Sequence, residues 1–159
     1  MIKKIFLFLG ENGPYVLFYI SLFLLLSKNL LIFYYIIGFI INLLINMIIK
    51  YLIKESRPSN KYVKNFNERV KTISVDKYGM PSGHAQSIFY SFIFIHKSFN
   101  NIYLSLFYLI ICLNTLYQRV NMKYHTINQV LVGSIIGLII GYITYIMSIK
   151  KLKENKENK

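Results

Sequence analysis

Two histidines, three basic side chains and a serine stand in three short polar islands of an otherwise apolar chain. The islands are Lys50-x6-Arg57-Pro58, Pro81-Ser82-Gly83-His84 and Arg119-x5-His125. Lysine and arginine hold phosphate oxygens, and arginine does so with a planar two-pronged fork. A neutral imidazole can attack phosphorus, and a second imidazole, titrating near neutrality, can protonate the leaving oxygen. The residue types therefore suit the binding of a phosphate group and the breaking of a phosphorus–oxygen bond. Arginine carries extra information, because the chain has three only, Arg57, Arg69 and Arg119, and two lie in the islands. Lysine supplies the positive charge elsewhere; the heavy use of Ile, Lys, Asn, Tyr and Phe, all with A/T-rich codons, reads as genomic composition.

Taken singly, each island has a plainer reading. Lys50 and Arg57 are also what a stop-transfer cluster reaching for headgroups looks like. Pro81-Ser82-Gly83-His84 is also a helix start with Ser82 as cap, although backbone N–H groups at such a start favour a phosphate. His96 stands next to Lys97 and reads as an interfacial residue unrelated to the islands. A hard-cation or two-metal centre needs carboxylates. The chain has one aspartate, Asp76, and five glutamates, none at ligand-like spacing from a histidine. A site without metal or cofactor is expected.

The elements that position the islands follow from hydropathy. The chain has 159 residues, is 55% hydrophobic and carries a net charge of +13, with mean hydropathy +0.44. That combination contradicts a soluble globule and fits one small membrane domain with basic loops. The lysines flank apolar runs, which argues against nucleic acid as a partner. Residues 1–9, too short for a signal-peptide core and followed by Gly10-Glu11-Asn12-Gly13, read as a short interfacial segment. Spans are predicted over 14–27, 30–49, 84–95, 102–117 and 127–149, with a polar loop over 50–81 containing one amphipathic helix. About 20 apolar residues cross a bilayer, and a spanning segment satisfies its own backbone only as a helix. The fold class is therefore an all-α polytopic membrane bundle of about five transmembrane helices: one domain over 1–149 and a charged, frayed tail over 150–159. Cys112, inside a span, reads as a buried core residue. Oligomeric state is not legible.

Threading five crossings brings all three islands to one face of the membrane, together with the N-terminus, and sends the tail to the other. Composition does not force that coincidence, so the three islands are expected to form one site.

In order and spacing the islands resemble the type 2 phosphatidic acid phosphatase superfamily, whose signature is Lys-x6-Arg-Pro, Pro-Ser-Gly-His and Ser-Arg-x5-His-x3-Asp. The likeness covers roughly residues 42–141. The third element departs twice: Gln118 replaces the serine and Gln129 the aspartate. Glutamine there is similar to the dolichyl diphosphatase branch, as are Tyr78-Gly79-Met80-Pro81-Ser82-Gly83-His84-Ala85-Gln86 and Tyr124-His125-Thr126-Ile127-Asn128-Gln129-Val130-Leu131. The resemblance implies that Lys50, Arg57 and Arg119 clamp phosphate oxygens, helped by Ser82 and Gly83. It makes His125 the nucleophile that becomes phosphohistidine, His84 the acid and then the base for water, and Gln129 the residue that orients His125. An amide stabilises imidazolium less than a carboxylate does, so His125 is expected to stay neutral to lower pH than in aspartate-bearing relatives.

The implied activity is hydrolysis of dolichyl diphosphate to dolichyl phosphate and phosphate, recycling the carrier of N-glycosylation, with a membrane lipid, a polyisoprenyl diphosphate, as substrate. Two alternatives stay open: a phosphatase for phosphatidate or another isoprenoid diphosphate, and a non-enzymatic protein that binds anionic lipid. The resemblance places the site in the lumen of the endoplasmic reticulum. Charge points the other way, since twelve of the nineteen Lys and Arg fall on the island face, the face that the positive-inside rule sends to the cytosol. The loop 59–80 is expected to form the headgroup entrance.

Overall fold

The computed structural model describes residues 2–58 and 77–158. The amphipathic helix expected within 50–81, and most of the proposed entrance loop, lie outside the described residues. Among the described residues five helices follow one another: α1 (Ile2–Leu25), α2 (Asn29–Ile53), α3 (Gly83–Phe99), α4 (Ile102–Asn121) and α5 (Ile127–Glu157). Among the described residues there is no strand, only an isolated antiparallel bridge between Ser56 and Tyr78.

The turns follow from local chemistry. Between α3 and α4, Asn100 takes the left-handed conformation (φ 47°) that asparagine tolerates at a helix end, and the Asn101 side chain accepts from the Leu104 N–H to start α4. Between α1 and α2, Lys28 donates to the Ser98 carbonyl at 3.3 Å and sits 3.9 Å from the centre of the Phe99 ring. That contact pins the first turn to the end of α3.

Helix α2 shows the inside-out pattern of a membrane bundle. Its buried stripe runs Leu31, Tyr35, Gly38, Asn42, Asn46, Lys50, becoming polar toward the island end. Its exposed stripe includes Ile40, Leu44, Ile48 and Leu52. Helices α1, α2 and α5 are long and apolar enough to span a membrane, and they mark an integral membrane protein. Helices α3 and α4, counted among five expected spans, do not meet that standard. They are held inside by polar groups instead: Gln86, Ser87 and Ser91 on α3, and Asn114, Thr115 and Gln118 on α4, are all buried. Gln86, Ser91, Asn114 and Gln118 bond across the bundle, and other hydroxyls do the same. Tyr35 and Ser91 hydroxyls lie 2.7 Å apart, Tyr90 donates to the Tyr35 carbonyl at 2.8 Å, and Ser21 meets Tyr108 at 3.0 Å. Such interhelical bonds contribute about 0.6 kcal/mol each in a membrane protein. Cys112 is fully buried among them.

Helix α3 packs most extensively against α5, where Gly133, Gly137 and Gly141 form a small-residue stripe. A Cβ on Gly137 would run into the Gln86 carbonyl, so the two backbones touch directly, as small-xxx-small stripes allow.

Two expectations about the ends need correction. Helix α1 runs unbroken through Gly10-Glu11-Asn12-Gly13 and Pro14, where a short segment and a separate span were expected. The glycines serve packing rather than a turn: a Cβ on Gly13 would collide with the Thr115 hydroxyl of α4. At the other end α5 continues as helix to Glu157, with Lys151 bonded to Glu154 at 3.1 Å, where fraying from residue 150 was expected.

Candidate active site

The first island forms as α2 ends. Lys50 occupies the last turn on the buried stripe and is 1% exposed. Lys54, at φ 53°, closes the helix by donating its N–H to the Lys50 carbonyl, and the chain continues through Glu55, Ser56 and Arg57. It pairs there with the approach to the second island: Gly79 N–H donates to the Glu55 carbonyl at 2.7 Å, and Lys50 Nζ to the Tyr78 carbonyl at 3.3 Å.

The second island is fixed from two sides. Ser82 caps α3 by accepting from Ala85 N–H at 3.4 Å, while its own N–H donates to the Gln129 carbonyl at 3.0 Å. Asn46 of α2 donates to the Pro81 carbonyl at 3.3 Å and to Gln86 at 2.8 Å, and a Cβ on Gly83 would meet the Asn46 side-chain oxygen. His84 follows, half-buried, with Nε2 3.1 Å from the Glu11 carbonyl of α1.

The third island begins on α4, since Arg119 lies in its last turn rather than in the connection. The Arg119 carbonyl accepts from the N–H groups of both Tyr124 and His125, a tight hairpin that places His125 immediately before the cap of α5. Thr126 and Gln129 then form a reciprocal capping box. His125 is 2% exposed. Its Nδ1 faces two oxygens, the Gly79 carbonyl at 3.0 Å and Gln129 Oε1 at 3.1 Å, while Nε2 lies 2.9 Å from Arg57 Nη1. A guanidinium only donates and a carbonyl only accepts. The proton is therefore on Nδ1 and the lone pair on Nε2. Burial, followed by the positive charges of Arg57 and Lys50, pushes the His125 pKa down to about 2, so the ring is neutral at ordinary pH.

The structure thus brings together Lys50, Arg57, Ser82, Gly83, His84, Arg119, His125 and Gln129. It leaves His96 elsewhere, stacked on Phe92 and bonded to Ser105 at 2.7 Å. It also adds residues that the sequence reading missed. The Glu11 carbonyl accepts from Arg119 Nη2 at 3.5 Å as well as facing His84. Gln118 accepts from Arg119 at 3.2 Å and donates to the Leu7 carbonyl at 3.0 Å, tying that arginine to α1. The Tyr124 ring centre lies 4.7 Å from the Arg119 guanidinium carbon. Arg119 Nε is buried and has no hydrogen-bond partner among the described residues. Glu55 accepts from Gln129 Nε2 at 2.6 Å. Tyr124 and Glu55 have a signal in the sequence, each falling within an island. The Glu11 contact has none, since any residue has a carbonyl. Among the described residues no three His, Cys, Asp or Glu side chains gather as a metal group.

Fold and site together define a polytopic helical membrane protein with a cationic, two-histidine cluster at one end of the bundle. The chain belongs to the PAP2 superfamily, whose family model matches residues 30–153. Membership points to a phosphatase acting on lipid phosphates. No curated protein and no solved structure matches the chain.

Proposed function

We propose that this protein hydrolyses a lipid diphosphate, dolichyl diphosphate in particular, to the lipid monophosphate and phosphate through a phosphohistidine on His125. The observation that carries the reading is the state of that ring: neutral, with its Nε2 lone pair turned toward the Arg57 guanidinium. A nucleophile needs that lone pair, and a phosphate drawn to Arg57 would arrive beside it.

In the first step the Nε2 lone pair forms a bond to the terminal phosphorus, the bridging phosphorus–oxygen bond breaks, and the leaving lipid phosphate takes a proton from the imidazolium form of His84, which becomes neutral. The Glu11 carbonyl orients that ring; burial and the charge of Arg119 hold the resting His84 pKa down to about 3, so its protonation accompanies binding of the anionic substrate, which offsets the surrounding positive charges. In the second step His84 accepts a proton from water as the water oxygen attacks phosphorus. The phosphorus–nitrogen bond breaks, freeing phosphate and the neutral His125. Lys50, Arg57 and Arg119 neutralise the phosphoryl oxygens, aided by Ser82 and Gly83 at the start of α3. The buried, unpartnered Arg119 Nε is a donor suited to one of those oxygens. These side chains take the part that a metal ion plays elsewhere, so the reaction is metal-independent.

The substrate branch rests on Gln129 and the segments 78–86 and 124–131, which are similar to dolichyl diphosphatases; so does assignment to the endoplasmic reticulum with the site facing the lumen. The test is phosphate release by purified protein in detergent with EDTA, from dolichyl diphosphate and from phosphatidate. Release from dolichyl diphosphate that disappears in His125→Ala is expected. Release from phosphatidate alone would move the substrate assignment, and release from neither by folded protein would favour lipid binding without catalysis.

A further inference from the structure

Glu55 is the one carboxylate that reaches the His125 site among the described hydrogen bonds, and it does so through a single amide. The orientation of that amide is fixed by backbone groups. Gln129 Oε1 accepts from the Thr126 N–H at 3.2 Å, and Nε2 donates to the Ser56 carbonyl at 2.9 Å; the reverse orientation would set like against like at both contacts. The remaining positions then point one way. Oε1 shares the His125 Nδ1–H with the Gly79 carbonyl, at 3.1 and 3.0 Å, and the second Nε2 hydrogen goes to Glu55 Oε1 at 2.6 Å. Gln129 is fully buried and all four of its hydrogen-bonding positions are used.

We propose that Glu55 is a positioning residue for His125, its negative charge relayed to the imidazole by the Gln129 amide. A carboxylate drawing on one end of an amide makes the oxygen at the other end a stronger acceptor. The His125 ring gains positive charge as Nε2 bonds to phosphorus, and it does so beside Arg57. A stronger acceptor at Nδ1–H favours that change. The chain thereby obtains with two residues, Glu55 and Gln129, what a single carboxylate touching the ring would supply. The effect on turnover rests on the reading of His125 as nucleophile; the polarisation of its Nδ1–H does not.

The arrangement predicts a reversal of sign. Glu55→Gln keeps an acceptor for Gln129 Nε2 and removes only the charge. It is expected to lower kcat for dolichyl diphosphate roughly 10- to 100-fold, by analogy with the loss of a partner that orients a metal-bound histidine, with KM little changed. Gln129→Asp on its own sets a second carboxylate against Glu55 and the Ser56 carbonyl, and is expected to lower kcat further. In the Glu55→Gln background the same Gln129→Asp change brings a carboxylate to the ring with an amide to support it, and should raise kcat. Equal effects of Gln129→Asp in both backgrounds would overturn the relay. A second readout needs no turnover: in protein labelled with 15N-histidine, the His125 Nδ1–H proton resonance should move upfield in Glu55→Gln, and an unchanged resonance would also overturn it. Glu55→Asp, which keeps the charge but withdraws it by one methylene, serves if Glu55→Gln does not fold, and should produce the same upfield direction. Wild type that releases no phosphate, yet shows the resonance shift, would remove the enzymatic reading and leave the relay standing.

Discussion

Arg57 Nη1 stands 2.9 Å from His125 Nε2, so an arginine donates its hydrogen bond to the lone pair proposed to attack phosphorus. The contact occupies the nucleophile at rest and must give way when substrate arrives, because the phosphoryl oxygens compete for the same guanidinium. Arg57 also donates from Nη1 to the Tyr124 carbonyl at 3.3 Å. Arg57→Lys, which keeps charge but loses the fork, is expected to lower kcat by about 10²–10³-fold, the cost typical of losing a placed donor to a developing oxyanion. Single-turnover measurement of phosphohistidine formation checks this, and an Arg57→Lys variant as fast as wild type would show that charge alone suffices.

The buried His125 makes stability depend on pH in a stated direction. Its pKa falls from 6.5 to about 2 on folding, because burial and the charges of Arg57, Lys50 and nearby His84 oppose the imidazolium. Between those values the unfolded chain binds a proton that the folded one refuses. Stability therefore rises with pH through that window and is lost as pH falls below the unfolded value. Thermal midpoints of wild type and His125→Asn at about pH 7 and about pH 4.5 test this. The variant should show the smaller drop, and equal drops would mean that other groups set the acid limit.

Cations gathered at one end of the bundle repel one another until an anion sits among them. Inorganic phosphate is expected to raise the thermal midpoint, and at a hundredfold excess over its dissociation constant the stabilisation is about 2.7 kcal/mol. Arg119→Ala should weaken the effect, since it removes the unpartnered Nε donor. EDTA should change neither the midpoint nor phosphate release. A midpoint indifferent to phosphate in wild type would argue against a phosphate site at the islands.

Gly137→Val tests the contact that holds the second island's helix in place. The new side chain would meet the Gln86 carbonyl, and backbone cannot rotate away as a flexible side chain can. A loss of about 1–3 kcal/mol is expected from overpacking, larger than the few tenths gained from helix propensity over glycine. Unfolding of wild type and variant in mixed micelles checks it, and an unchanged midpoint would show that α3 and α5 can separate slightly at no cost.

The islands are legible in the sequence because each is a local spacing, and a succession of helices that reverses direction at each turn is enough to bring them to one end. The ends of α1 are not. Gly10-Glu11-Asn12-Gly13-Pro14 reads as a chain break, yet its glycines allow close approach to Gln118 and Thr115 of α4, a tertiary fact with no local trace. Helices α3 and α4 read as ordinary spans because their apolar residues are visible, whereas the polar groups that bind α3 inside the bundle acquire meaning only opposite partners such as Asn42, Asn46 and Tyr35. Glu55 lies inside the first island and escapes notice because its partner, Gln129, is 74 positions away.

The Glu11 carbonyl faces His84 and accepts from Arg119, yet it belongs to α1, which precedes the matched residues 30–153. The boundary of kinship is thus not the boundary of the working unit. A protein trimmed to its recognisable portion would retain every signature residue and lose the ledge against which two of them rest. Borrowing these islands for another bundle would accordingly mean borrowing that ledge as well.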